Sequence, residues 1–149
     1  MPEGISYEQY LEEHGELTYK NRGGSMRPLL KPGRDLFTVK KKGAERCHAG
    51  DVVLFRHNGN FVLHRVVRVL ESGYDCLGDN AFLQEKGVTD ADVLGVLTGF
   101  VRKGKAHSVS EPWYRFYSLC MVAFRGPRAL LIRVWRKVRP LVKPPRDPA

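Results

Sequence analysis

Short apolar segments separated by turn residues make up most of the chain between positions 16 and 101. The clearest is FVLHRVVRVL at 61–70, which is rich in β-branched residues and follows Asn58-Gly59, a strong hairpin signal. Comparable segments predict further strands at 16–20, 35–40, 51–56, 74–77 and 93–101. Because short strands joined by turns characterise β proteins, we predict a mainly β domain over residues 17–105.

Helical patterns flank this predicted domain on both sides. Residues 7–14 predict a short helix within an N-terminal segment over 1–16. The C-terminal segment, 106–149, predicts two helices broken at Gly126-Pro127. In the second of these, one face is apolar and the opposite face is basic at about 100° per residue. The apolar face holds Leu130, Leu131, Val134, Trp135 and Val138, and the basic face holds Arg133, Arg136, Lys137 and Arg139.

The positive charge of the chain is concentrated in this basic amphipathic tail. The 149 residues carry a net charge of +9, and residues 112–149 hold nine Lys and Arg against one acid. Such an asymmetry indicates a polyanionic partner. The apolar face favours an anionic membrane over nucleic acid, with Arg133, Trp135, Arg136 and Lys137 at the lipid. The alternative is a helix that packs its apolar face on the body of the protein.

Cellular location is inferred from two further features of the sequence. No apolar run reaches the roughly 18–20 residues that span a bilayer. The three cysteines, Cys47, Cys76 and Cys120, include no C-x-x-C pair, which is typical of free thiols in a reducing compartment. We therefore expect a cytoplasmic protein without a transmembrane segment, peripheral on the inner membrane face.

Ser25 and His64 are the residues best suited to carry chemistry. Ser25 follows Gly23 and Gly24, which allow close approach of a substrate and a backbone N–H beside the serine for an oxyanion. A serine hydroxyl needs a base, and a histidine with its ordinary pKa of about 6.5 serves at neutral pH. His64 stands out because it lies inside an apolar strand. The alternative is a core histidine that bonds a nearby carbonyl.

A serine–histidine pair also wants a carboxylate to orient the imidazole. Asp79, in a G-D-N turn, and Glu85, six residues later, are both candidates, although an aspartate in such a turn is often only a turn-former. A metal site built from His48, His57, His64 and Asp79 is the competing hypothesis. Their spacing matches no zinc pattern, so we expect no metal and no cofactor.

Four segments, taken in order, resemble the catalytic boxes of the type I signal peptidase superfamily. GSMRPLLKPGRD at 24–35 resembles the nucleophile box, and GDVVLF at 50–55 resembles the second box. HRVV at 64–67 resembles the base box of the ER and archaeal type, which carries His where most bacterial enzymes carry Lys. GDN at 78–80 resembles the acid box. The resemblance runs over about residues 17–103 and is closest to short peptidases of the combined repressor-protease and signal-peptidase class.

This resemblance implies a coiled β-sheet or partly open barrel that acts as a serine endopeptidase on peptide or leader-peptide substrates. It implies Ser25 as nucleophile, His64 as general base, and the backbone N–H groups of Gly24 and Ser25 as oxyanion donors. Asp79 matches the acid of the G-D-N box. The ER-type enzymes carry an orienting aspartate six residues later, where this chain has Glu85, so both acids stay candidates.

This sequence departs from the family pattern in three ways. The family normally has an N-terminal transmembrane anchor, which we do not expect here, and this argues against cleavage of secretory preproteins. Gly23 stands where many bacterial members supply a hydroxyl to the oxyanion hole, and Ala81 stands where the acid box usually has its second asparagine; these two changes support an alternative function. The alternative is a weak or inactive peptide-binding or membrane-associated adaptor on the same fold.

Overall fold

The computed structural model, which describes residues 4–142, contains one antiparallel sheet of eight strands that curls into a half-barrel. The strand order is β1-β2-β7-β3-β4-β5-β6, with β8 paired to β7. The strands are β1 (Glu16–Lys20), β2 (Leu36–Lys41), β3 (Val52–His57), β4 (Asn60–Leu70), β5 (Gly73–Leu77), β6 (Glu85–Val88), β7 (Val93–Arg102) and β8 (Lys105–Ser108). The predicted mainly β fold is confirmed.

Three helices flank the sheet: α1 (Tyr7–His14), α2 (Pro112–Ala123) and α3 (Arg125–Val142). The hydroxyl of Ser6 caps the first turn of α1 by accepting from the N–H of Gln9, and Gly15 ends the helix in the left-handed conformation. The break between α2 and α3 falls at Phe124 rather than at Gly126-Pro127. Pro127 lies in the first turn of α3, where a helix tolerates proline because the missing N–H has no intrahelical acceptor.

The core consists of two apolar clusters on opposite faces of the sheet. Alternation along β3 divides its residues between them: Val52 and Leu54 join one cluster, and Val53 and Phe55 join the other. Because β3 is buried on both faces, its sequence is a continuous apolar run rather than an alternating one. Tyr114 brings α2 into the first cluster, so this helix belongs to the body.

The pairing of β4 changes along its length. It pairs with β3 from Asn60 to Arg65, but its register with β5 begins only at Arg65 opposite Leu77. Among the described strands, the first half of β4 therefore has one unpaired edge. His64 lies where β5 leaves β4, directly beside the turn at residues 78–80.

Candidate active site

The loop that carries Ser25 connects β1 to β2 and is fixed at several points. Met26, Leu29 and Leu30 are each at most 2% exposed and anchor the loop in the core. The side-chain amide of Asn21 donates to the carbonyls of Gly23 (2.9 Å) and Leu30 (3.3 Å). The buried side chains of the loop and the hydrogen bonds of the Asn21 amide together hold the backbone at Ser25 in place.

His64 is paired with Glu85. The imidazole Nδ1 lies 2.7 Å from Glu85 Oε2, and the two side chains are only 9% and 18% exposed. Glu85 is the first residue of β6, so the β5–β6 hairpin delivers it to the imidazole. In the neutral tautomer whose Nδ1–H donates to the Glu85 carboxylate, Nε2 is a lone-pair acceptor.

Nε2 of His64 is directed toward the Ser25 loop. Gly78 lies between them: a Cβ on this glycine would lie 2.7 Å from the Ser25 carbonyl oxygen and 3.0 Å from His64 Nε2. Ser25 and His64 also line the same two cavities. Within residues 4–142 the Ser25 hydroxyl makes no hydrogen bond, to His64 or elsewhere. Bonds between catalytic groups are commonly long without substrate and shorten when it binds.

Asn80 ties the turn at residues 78–80 to the serine loop. Its backbone N–H donates to the Ser25 carbonyl at 2.7 Å, and its side-chain amide donates to the Gly24 carbonyl at 3.3 Å. In the described part of the chain, the N–H groups of Gly24 and Ser25 have no acceptor. Asn80 thus holds the carbonyls of Gly24 and Ser25, while the N–H groups of the same two residues stay available to a ligand.

Asp79 contacts Arg65 rather than His64. Its two carboxylate oxygens accept from Arg65 Nε and Nη2, both at 2.8 Å, and both side chains are fully buried. The Tyr117 hydroxyl donates to the same carboxylate at 2.7 Å. Of the two candidate acids, the structure brings Glu85 to the histidine and uses Asp79 in a buried ion pair.

Arg65 also binds α2. Its Nη1 donates to the Gly50 carbonyl (2.8 Å), the Ser118 hydroxyl (2.8 Å) and the Tyr114 hydroxyl (3.3 Å). Burial alone would lower the pKa of this guanidinium, but the charge of Asp79 outweighs it and raises the pKa. Arg65 is therefore a permanent buried cation, shared between the turn at 78–80 and α2.

Sequence reasoning missed Arg65 and the helix residues that meet it. The sequence did contain a signal for Arg65, because an arginine inside a strand of valines must either be buried with a carboxylate or project from an edge. Asp79, in the turn after the next strand, was the acid available to pair with it. Tyr114, Tyr117 and Ser118 carried no comparable signal, since aromatic and hydroxyl residues at helical spacing are ordinary surface or core positions.

Two cavities meet at Ser25 and His64. The first, of about 350 Å³, is named here the aromatic cavity. Its apolar lining consists of Tyr7, Phe37, Leu54, Phe61, Val62 and Leu63. The second, of about 550 Å³, is named the arginine cavity. It is lined by Gly24, Ser25, Arg27, His64, Asn80, Ala81, Arg136 and Arg139.

The apolar face of α3 does not pack on the sheet. Leu131 is 70% exposed and Trp135 is 55% exposed, with Arg133 and Lys137 also exposed beside them. Arg136, which we expected at a membrane, instead turns to the body: it donates to the Asn80 carbonyl at 2.9 Å and lies over the Phe82 ring. The helix thus presents its leucines and tryptophan outward, and it presents Arg136 and Arg139 to the arginine cavity.

No helix within residues 4–142 is long and apolar enough to cross a membrane. In the same residues, no group of three or more His, Cys, Asp or Glu side chains is arranged to hold a metal ion. The chain matches no model of a known protein family, and a search of curated proteins finds no match either.

Proposed function

We propose that the protein is a serine endopeptidase of the signal-peptidase type, with Ser25 as nucleophile, His64 as general base and Glu85 as the orienting acid. The observation that carries this proposal is the buried His64–Glu85 pair at 2.7 Å, with Nε2 toward the Ser25 loop. An acid that holds Nδ1–H leaves Nε2 free to accept a proton from a hydroxyl, which is the role of the acid in serine–histidine triads.

In the proposed mechanism, His64 Nε2 takes the hydroxyl proton as Ser25 Oγ attacks the scissile carbonyl. The N–H groups of Gly24 and Ser25 donate to the resulting oxyanion. The imidazolium then gives its proton to the leaving amine, and an ester to Ser25 remains. Water, deprotonated by the same imidazole, attacks the ester and regenerates the serine.

The unpaired edge of β4 is the place where an extended substrate fits. Residues 60–63 present backbone N–H and C=O groups that no described strand uses, and a peptide in β conformation pairs with such an edge. Phe37, Leu54 and Phe61 line the adjoining aromatic cavity and would receive an apolar side chain. The substrate would then lie across Ser25 with its main chain held by the sheet.

Asp79 and Arg65 act as positioning residues in this proposal. The pair fixes the turn at 78–80, and the Asn80 N–H of that turn holds the Ser25 carbonyl. Asp79 does not touch the reacting atoms, so its effect on the rate passes through the position of the serine loop.

A serine-reactive fluorophosphonate, followed by mass spectrometry of the labelled peptide, tests the proposal. We expect labelling at Ser25, none in Ser25→Ala, and about 100- to 10,000-fold slower labelling in His64→Ala, the range that general-base catalysis contributes. His48→Ala is the matched control, because His48 is 84% exposed and lines neither cavity at Ser25, and this variant should label like wild type. Absence of labelling in the folded wild-type protein would favour the adaptor alternative.

The exposed face of α3 supports a second function, attachment to an anionic lipid surface. Leu130, Leu131, Val134 and Trp135 are 49–70% exposed, and the cations Arg133 and Lys137 flank them. An apolar stripe with flanking cations complements an interface of acyl chains and anionic headgroups. The tail would bring the catalytic site to membrane-bound peptides.

Vesicle sedimentation at low salt tests this attachment. The protein should sediment with phosphatidylcholine vesicles that contain phosphatidylserine and stay in solution with phosphatidylcholine alone. Leu131→Glu should weaken the association, and the exposed control Glu71→Gln on the β4–β5 turn should not. Equal behaviour with both kinds of vesicle, or no association with either, excludes attachment through charge and this helix.

A further inference from the structure

The arginine cavity combines the two proposed reacting residues with three cations. Arg27 comes from the serine loop, and Arg136 and Arg139 come from α3. No aspartate or glutamate is among the residues that line it. A concave site with three guanidinium groups and no acid has a strongly positive potential, which attracts anionic groups of a ligand.

Arg136 is held at the mouth of this cavity by two contacts. It donates one hydrogen bond to the Asn80 carbonyl and stacks over the Phe82 ring, 5.3 Å from the ring centroid. A guanidinium has five N–H donors, so most of those on Arg136 stay available. Arg27 and Arg139 form no ion pair with any acid in the described part of the chain.

The two cavities share Ser25 and His64 but differ in character. The aromatic cavity combines the apolar Phe37, Leu54 and Phe61 with the charged Lys20, Arg22 and Glu85, whereas the arginine cavity holds three arginines and no acid. A peptide bound at Ser25 that extends into the arginine cavity therefore meets cations that no acid in the lining offsets. We infer that the protein selects substrates with an acidic residue on the arginine side, and that Arg136 and Arg139 are the specificity-determining residues. This inference rests on the proposed peptidase function.

The expected preference for an acidic substrate follows from the strength of a bond between arginine and carboxylate. A charge-assisted bond between guanidinium and carboxylate is roughly twice as strong as a neutral hydrogen bond. The groups involved are exposed, so water and salt reduce this gain. We expect about a tenfold preference for a carboxylate over a carboxamide at low salt, which shrinks as the Debye length falls to about 8 Å at physiological ionic strength.

Two alkyl fluorophosphonates of equal length, one ending in a carboxylate and one in a carboxamide, test the inference by their rates of Ser25 labelling. The wild type should label about tenfold faster with the carboxylate. The double variant Arg136→Gln/Arg139→Gln should bring this ratio of labelling rates below about twofold.

The double variant Arg133→Gln/Lys137→Gln is the matched control, because it removes two charges from the same helix away from the cavity. This control should keep the wild-type ratio of the two labelling rates. If its ratio falls as far as that of Arg136→Gln/Arg139→Gln, the effect comes from net charge and the inference is overturned. Equal labelling of the wild type by both probes would also overturn it. If neither probe labels Ser25, the peptidase function itself fails.

Discussion

Replacement of Gly78 by alanine isolates the contact between the serine loop and the histidine. The backbone of Gly78 does not adopt the left-handed conformation, so alanine brings no backbone strain. Its methyl group would lie 2.7 Å from the Ser25 carbonyl oxygen, 3.0 Å from His64 Nε2 and 3.1 Å from His64 Cδ2. Real Cβ atoms do not approach other atoms to less than 3.0 Å, so one of these groups must move.

Neither neighbour moves freely. The Ser25 carbonyl accepts from the Asn80 N–H at 2.7 Å, and His64 is held by Glu85 at 2.7 Å. Relief of the contact therefore lengthens one of these two bonds and displaces Ser25 or His64 by several tenths of an ångström. Because a misplacement of about 1 Å costs about 100-fold in rate, we expect a loss of roughly 10- to 100-fold. This loss corresponds to about 1.4–2.7 kcal/mol in the activation free energy.

The rate of fluorophosphonate labelling at Ser25 measures this loss, and urea unfolding shows whether the fold survives. Overpacking by one methyl group typically lowers the free energy of unfolding by about 1–3 kcal/mol, so the variant should still fold. Gly43→Ala is the matched control, because a Cβ there meets nothing within 4 Å and its backbone is not left-handed. A Gly78→Ala protein that labels at the wild-type rate would refute the geometry on which the proposed function depends.

Three further predictions concern buried ionisable groups. Asp79→Asn leaves the buried charge of Arg65 without its partner, so urea unfolding should show a free energy of unfolding lower by about 3–5 kcal/mol. The hydrogen bond from Arg34 holds the pKa of Asp35 below its ordinary value. The stabilisation by Asp35 is therefore complete above about pH 4 and is lost as the pH falls further. In Asp35→Asn, the free energy of unfolding should depend less on pH below about pH 4. Burial raises the pKa of the Cys76 thiol to about 12, so iodoacetamide at pH 8 should alkylate it only after unfolding, as peptide mass spectrometry would show.

The pattern of apolar residues predicted the larger strands because each of them buries at least one continuous face. The strand with the sequence at 61–70 is observed as β4, one residue longer, and α1 has the predicted bounds. The strands β6 and β8 were missed. Only Val88 is buried in β6 and no residue is buried in β8, so neither has an apolar period that a sequence can display. Their positions depend on pairing with a neighbour, which is a tertiary effect.

The candidate site was predictable only in part, for a similar reason. Ser25 and His64 carried local signals, a glycine-rich loop and a histidine in an apolar strand. The choice between Asp79 and Glu85 depended on where the chain turns after β5. Because β6 begins at Glu85 and pairs back on β5, this acid reaches the imidazole, while Asp79 is left on the opposite side of β4 with Arg65.

The adjacent residues His64 and Arg65 explain why α2 belongs to the body of the protein although the sequence pattern placed it in a tail. Side chains alternate across a strand, so a histidine directed at the serine loop obliges the next residue to face the other way. There the arginine is fully buried, bonded to Asp79, to the Gly50 carbonyl and to Tyr114 and Ser118 of α2. Without α2, a charge beside the proposed base would face an open surface with two of its five hydrogen bonds unmade, at a penalty of several kcal/mol. The packed body therefore extends through α2 to Phe124, and α3 beyond it contributes Arg136 and Arg139 to the cavity at Ser25 while its apolar face stays exposed.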